Sequence, residues 1–274
     1  MKKTILWTLT VIITLSAAYY QRMTGPTYPK RVSVTLNDTI HKLKLVRSIA
    51  LDERSSVRLK ITDPSIQAKL YFKRLNTNED YQSSDFVYEK EGYFAAVPQQ
   101  PAAGKLQYYI EITDSKGTQV LFRESPVVIR YKGGVPPFIL VPHVLIMFVA
   151  MLFSTLAGLM ALVKLPDYKL YALWTLILLT AGGMILGPVV QLYAFGELWT
   201  GVPFGWDLTD NKTLIAFLFW ILAVYMNRKT DKPMYTILAA FVLLLVYSIP
   251  HSLFGSELDY ASGKVTQGMA MIFF

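Results

Sequence analysis

The chain has 274 residues and a formal net charge of +8, and 53% of its residues are hydrophobic, which is high for a soluble protein. It contains no cysteine, which excludes disulfides, thiolate metal sites, iron–sulfur clusters and c-type haem attachment. The basic residues are interspersed with acidic ones, as in Asp52-Glu53-Arg54. The positive charge therefore does not indicate nucleic-acid binding.

The first 22 residues have the pattern of a targeting segment. Lys2 and Lys3 precede an apolar run from Ile5 to Tyr20, as in the charged and hydrophobic regions of a signal sequence. We favour a retained signal anchor over residues 1–22, while Ser16-Ala17-Ala18 leaves open its cleavage as a signal peptide. Residues 23–30 contain glycine and two prolines and are predicted to be a linker.

Residues 31–133 are predicted to form an extracytoplasmic β-sandwich of about seven strands. Apolar and polar residues alternate in short runs, which places one face of each strand inward. Asp114-Ser115-Lys116-Gly117 is typical of a turn between two strands. The segment 104–117 resembles the late hairpin of immunoglobulin-like or fibronectin-like domains, which implies a sandwich of that class.

Residues 134–250 are predicted to form four transmembrane helices, because four apolar runs approach the length that a bilayer requires. The runs cover residues 138–163, 170–195, 214–226 and 234–249. Two of the connecting loops are basic, whereas residues 196–210 include no Lys or Arg. The positive-inside rule then places the β-domain, this loop and the tail 251–274 on the periplasmic side of a bacterial inner membrane.

Several polar residues are predicted to meet at the outer face of this bundle. His143 follows Pro142 in an apolar run, where an ionisable side chain indicates function, although a hydrogen bond to a neighbouring helix is the alternative. His251 ends the last apolar run and is either a ligand or an interfacial residue. Further candidates on this face are Gln191, Glu197, Trp199, Asp207, Asp210, Glu257 and Asp259.

The loop that ends in Gly205-Trp206-Asp207 resembles the Trp-rich loop of the haem-handling membrane proteins of cytochrome c maturation. In that family an outward loop ends in Trp-Asp, and one histidine precedes it and one follows it. His143 and His251 hold these positions here. The resemblance implies transient haem b binding with both histidines as axial ligands, beside Trp206 and Asp207.

Two functions from different classes remain open from the sequence. The first is redox or haem handling through His143 and His251, or a metal site in which these histidines combine with a carboxylate such as Asp207 or Glu257. The second is a non-catalytic assembly protein, whose β-sandwich binds an extracytoplasmic or membrane protein while the helices lie in the bilayer. The sequence assigns no catalytic residue, and the third histidine, His41, is given no role.

Overall fold

The chain folds into two compact units in the computed structural model, which describes residues 2–90, 92–250 and 255–267. The first unit contains the N-terminal residues up to Pro26 together with Val135–Ser256. The second unit contains Thr27–Gly134 and also Glu257–Thr266 from near the end of the chain. The chain is thus a mixed helical and β protein, as the sequence predicts.

The first unit is helical. Its helices are α1 (Lys2–Thr24), α2 (Pro137–Leu162), α3 (Tyr168–Leu178), α4 (Gly187–Phe195), α5 (Leu208–Met226) and α6 (Pro233–Ser248). A π-helical segment, Leu179–Leu186, joins α3 and α4 into one continuous stretch. Helix α1, helix α2, the α3–α4 stretch and α5 are each long and apolar enough to cross a membrane, and α6 is a shorter apolar helix. These lengths and compositions are consistent with a membrane protein.

Helix α5 begins six residues before the apolar run that predicts it, because Asp207 caps its N-terminus. The Asp207 carboxylate accepts the backbone N–H of Thr209 at 2.8 Å and that of Asp210 at 3.2 Å. A capping aspartate satisfies donors that the first helical turn leaves without partners. The polar residues Asp210 and Lys212 therefore belong to the helix, and both are buried inside the protein.

Helix α1 packs against the other helices of its unit. Leu6 is buried in a cluster with Leu156, Met160 and Tyr168. The Lys3 ammonium also lies 2.5 Å from the Asp167 carboxylate in the connection between α2 and α3. Removal of α1 would expose this apolar cluster, which favours its retention.

We expect the mature protein to retain residues 1–22. The intact mass of the protein purified from its own membrane should then include α1, and N-terminal peptides before Ser16 should be detected. A mature N-terminus just after Ala18 would contradict this prediction and would identify the segment as a cleaved signal peptide.

The second unit is built from strands around one core. Its first eleven strands are β1 (Lys30–Leu36), β2 (Thr39–Leu45), β3 (Ser48–Ala50), β4 (Ser56–Leu59), β5 (Gln67–Arg74), β6 (Gln82–Asp85), β7 (Val87–Glu89), β8 (Gly92–Ala96), β9 (Lys105–Asp114), β10 (Gly117–Leu121) and β11 (Val127–Lys132). The expectation of about seven strands was too low. The additional strands are β2, β3, β6 and β7, and three of these have only three or four residues, too few for a clear alternation.

These strands form open sheets that share buried side chains. The largest sheet has the order β3-β11-β9-β5-β6, with β10 also paired to β9; β4-β8-β7 form a second sheet and β1-β2 a hairpin. One apolar cluster includes Leu43 of β2, Leu59 of β4 and Ile110 of β9, so it draws on all three sheets. Strand β9 is central, because β5 pairs along one edge and β10 and β11 along the other.

A C-terminal hairpin adds β12 (Ser256–Leu258) and β13 (Val265–Gln267). The Glu257 carboxylate lies 2.6 Å from the Lys105 ammonium at the start of β9, and both side chains are only 6% exposed. Asn76 donates a further hydrogen bond of 2.7 Å to Glu257, and the Tyr260 hydroxyl accepts the Lys105 N–H at 2.9 Å. The sequence predicts a separate polar tail here, but this segment belongs to the β unit.

Replacement of Lys105 by Met should destabilise the β unit strongly. Loss of one partner of a buried ion pair leaves an uncompensated charge, which typically costs about 3–5 kcal/mol. Hydrogen exchange of β9 amides in the full-length protein would report the loss as faster exchange. Lys69→Met is the matched control, because the Lys69–Asp85 pair is largely exposed and its loss should change little. Equal effects of the two substitutions would contradict the prediction.

Candidate ligand-binding site in the helical unit

A cavity of about 100 Å³ lies within the helical unit. Its walls come from α2, the π-helical segment, α4, α5, the loop before α5 and Gly255-Ser256. Its polar lining includes His143, Gln191, Asp207, Asp210, Thr209 and Thr213. The structure therefore brings together several residues that the sequence predicts to share one face, among apolar neighbours such as Met147 and Val190.

The orientation of His143 is set by a backbone carbonyl. Its Nδ1 lies 2.9 Å from the carbonyl oxygen of Gly182 in the π-helical segment. A carbonyl oxygen can only accept, so Nδ1 carries the proton and donates it, and the Nε2 of a neutral ring keeps its lone pair. Within the described part of the chain, Nε2 has no hydrogen-bond partner. The imidazole is thus held in the tautomer that can bind a ligand at the cavity.

The π-helical segment brings Gly182 within reach of His143. The Gly187 N–H bonds to the Gly182 oxygen, five residues back, and Pro188, which has no N–H to donate, follows directly. A Cβ atom on Gly182 would lie 2.8 Å from the Ile146 side chain, so only glycine permits this close approach of α2. Such π segments are frequent at functional sites.

The loop between α4 and α5, residues 196–207, is fastened to the first turn of α5. The Asp210 carboxylate accepts the Thr200 N–H at 2.7 Å, and the Asn211 side-chain oxygen accepts the Val202 N–H at 2.7 Å. Gln191 of α4 donates to the Thr200 hydroxyl at 2.7 Å. These bonds order the loop backbone and give Asp210 and Gln191 clear structural roles.

Buried charge is concentrated at this end of α5. Asp207, Asp210 and Lys212 are 3%, 6% and 5% exposed, so two carboxyl groups and one amino group are shielded from solvent. The Lys212 ammonium donates to the Ile249 carbonyl oxygen at 2.9 Å and so caps the end of α6. Burial raises the pKa of the Asp207 carboxyl above its usual value.

The other predicted site residues are divided between several locations. Trp199 lines the cavity and donates its indole N–H to the Val202 oxygen at 3.1 Å. Glu197 and Trp206 are exposed to the outside and do not line the cavity. Glu257 and Asp259 belong to the β unit, where Glu257 is the buried partner of Lys105. His251 lies outside the described residues, so its pairing with His143 stays a prediction.

Two contributors to the site were not among the predicted residues. The Gly182 carbonyl fixes the His143 ring, and Thr200 links Gln191 to Asp210. The Gly182-Gly183 and Gly187-Pro188 pairs do predict close helix packing and a kink. They do not reveal which carbonyl the kink makes available, because that depends on the neighbouring helix.

Comparisons with known proteins give no family to which this site could be assigned. No model of a known protein family matches the chain, and no curated protein matches it in sequence. Among residues 2–90, 92–250 and 255–267, no group of three or more His, Asp or Glu side chains is placed to hold a metal ion.

Asp210→Ala should loosen the loop while leaving the helices in place. The Thr200 N–H would lose its acceptor, at a cost of about 1–3 kcal/mol. Amide hydrogen exchange at residues 200–206 should then accelerate by roughly tenfold or more, on the scale of 1.4 kcal/mol per tenfold. Glu197→Ala in the same loop removes an exposed carboxylate and should leave these rates unchanged. Unchanged exchange in Asp210→Ala would show that the loop is ordered by other contacts.

Proposed function

We propose that the chain is an integral membrane protein whose helical unit binds one divalent transition-metal ion, with His143 Nε2 and the Asp207 carboxylate as ligands. The observation that carries this proposal is the hydrogen bond from His143 Nδ1 to the Gly182 oxygen. Metal-binding histidines generally donate their second ring N–H to a carbonyl or carboxylate, which fixes the ring and its tautomer. An imidazole together with a carboxylate suits zinc or non-haem iron.

The buried charges support a cationic ligand. Asp207 and Asp210 bring two carboxylates to the cavity, and Lys212 is the one buried cation among the described residues of this helical unit. Buried charges are normally paired or coordinate metals, and a bound divalent ion would offset the excess negative charge. A proton can also neutralise one of these buried carboxylates. Protons and the metal ion therefore compete, which makes metal binding sensitive to pH.

The cavity volume favours a metal ion over haem b. At about 100 Å³ the cavity is smaller than the engineered cavity of about 150 Å³ that admits benzene. A porphyrin is therefore too large to be enclosed in this cavity. A single ion with one or two waters fits without such movement. Water in the remaining coordination positions is a feature of open, reactive metal sites.

The membrane orientation is part of the same proposal. Lys3 pairs with Asp167, and Lys169 pairs with Asp231, so the N-terminus and the two basic loops lie at one end of the helices. The positive-inside rule supports a cytoplasmic location for that end. The cavity and the β unit would then belong to the periplasmic side of a bacterial inner membrane. The shared core of its sheets supports the assignment of the β unit as an immunoglobulin-like sandwich.

Metal content and visible spectra of the purified protein test the proposal. We expect about one metal ion per chain in the wild type and at least a tenfold lower content in His143→Ala. Asp207→Asn retains a good N-cap but loses the charge, so it should weaken binding while preserving α5. His41→Ala is the matched control, because His41 lies on β2 of the β unit and should not affect metal content.

The pH dependence gives a second readout. The raised pKa of Asp207 means that protons compete for this ligand at a higher pH than at an exposed aspartate. Metal affinity should therefore fall as pH decreases, and the fall should begin at a higher pH than in a site with exposed carboxylates.

A Soret band that is present in the wild type and lost in His143→Ala would instead establish haem b as the ligand. A wild type without metal or haem would favour the non-catalytic assembly function, with the β unit as the partner-binding part.

A further inference from the structure

We propose that the loop between α4 and α5 is a preformed membrane-interface element, whose outward apolar side chains lie in the headgroup layer of the bilayer. This inference rests on the proposed membrane location of the helices and does not depend on the metal site. The partner it fits is the lipid surface of the membrane that the helices cross. Four observations on the loop and on α5 support it.

The loop displays large apolar side chains on its outer surface. Leu198, Val202, Phe204 and Trp206 are 52%, 42%, 81% and 69% exposed. Four large exposed apolar residues within nine positions are a concentration that, in an apolar patch on a protein surface, marks an interaction site with a protein or a membrane. Trp and other amphipathic aromatic residues are enriched where a membrane meets water.

The exposed side chains stand on an ordered backbone. The N–H groups of Thr200 and Val202 are held by Asp210 and Asn211, and the Asp207 N–H bonds to the Thr200 oxygen at 3.0 Å. The Gly205 N–H also closes a turn onto the Gly201 oxygen at 2.9 Å. A loop fixed in this way presents its apolar side chains without a large loss of conformational entropy on binding.

The length of α5 sets the depth of the loop. With 19 residues, α5 is about 28 Å long at 1.5 Å per residue, just short of a hydrocarbon layer of about 30 Å. Its first residue, Leu208, must therefore lie at the boundary of the hydrocarbon if α5 is to span it. The loop precedes Leu208 directly, so it lies in the interfacial layer.

The charges of the loop agree with this location. Between residues 196 and 207 there is no Lys or Arg, and Asp207 is turned inward to cap α5. Glu197 is the exposed charge of the loop. Attraction to anionic lipids therefore does not drive binding of the loop to the bilayer. The driving force is the partition of the aromatic and aliphatic side chains into the headgroup layer. Because Trp199 of this loop lines the cavity, the cavity lies near headgroup depth.

Single-cysteine fluorescence tests this depth directly, because the chain contains no native cysteine. Phe204→Cys and Val202→Cys would each carry an environment-sensitive fluorophore in the full-length protein, reconstituted in phosphatidylcholine nanodiscs. Nitroxide spin labels at the headgroup, or deep in the acyl chains, and aqueous iodide would serve as quenchers. Lys116→Cys, in the exposed β9–β10 turn, is the water control, and Phe241→Cys, on the exposed side of α6, is the lipid control.

We expect blue-shifted emission at positions 204 and 202, strong quenching by the headgroup nitroxide, and at least threefold weaker quenching by iodide than at position 116. Iodide quenching equal to that at position 116 would overturn the proposal, because the loop would then lie in water and not in the headgroup layer. Quenching by the deep nitroxide equal to that at position 241 would also overturn it, since the loop would then enter the hydrocarbon. Hydrogen exchange at Thr200 checks that the labelled loop keeps its fold.

Discussion

Backbone hydrogen bonding within long apolar segments is the constraint on which the helical unit depends. A segment that crosses a hydrocarbon layer must pair every N–H and C=O within the protein, and the long apolar segments of this unit do fold as helices. The π-helical segment is where this regular pattern changes, because the Gly187 N–H bonds to the Gly182 oxygen five residues back and not four. His143 hydrogen-bonds to a carbonyl of that segment, so the departure from regular helix and the candidate ligand occur at one place.

Hydrogen bonding of polar groups within the protein also explains the start of α5. Asp207, Asp210 and Asn211 occupy the N-terminal turn, where backbone N–H groups point outward and the helix dipole favours negative charge. These side chains bond the turn itself and the loop before it. The loop is consequently both ordered and apolar on its outer side. The cavity behind it contains more negative than positive charge, which makes a cation a suitable ligand.

In the β unit, a buried charge is paired with a residue from a distant segment of the chain. Lys105 begins the central strand β9 in a buried position, and a buried ammonium is very unfavourable without a partner. The partner, Glu257, follows α6 in the sequence, and the hairpin that carries it bonds to β9 and to Asn76. The second unit is therefore incomplete without a segment that lies 152 residues further along the chain than Lys105.

The sequence by itself determined most of the elements of this protein. Hydrophobic length located the long apolar helices, period-two alternation located seven of the strands, and an ionisable residue in an apolar run indicated His143 as a candidate site residue. These signals are local, because helix and strand periodicities depend on neighbouring residues. Only the tertiary structure decided what these elements do together. The His143 tautomer depends on Gly182, 39 residues away, and Glu257 belongs to the β unit because Lys105 needs a counter-charge. Such pairings arise from the packing of distant segments, which no local pattern encodes.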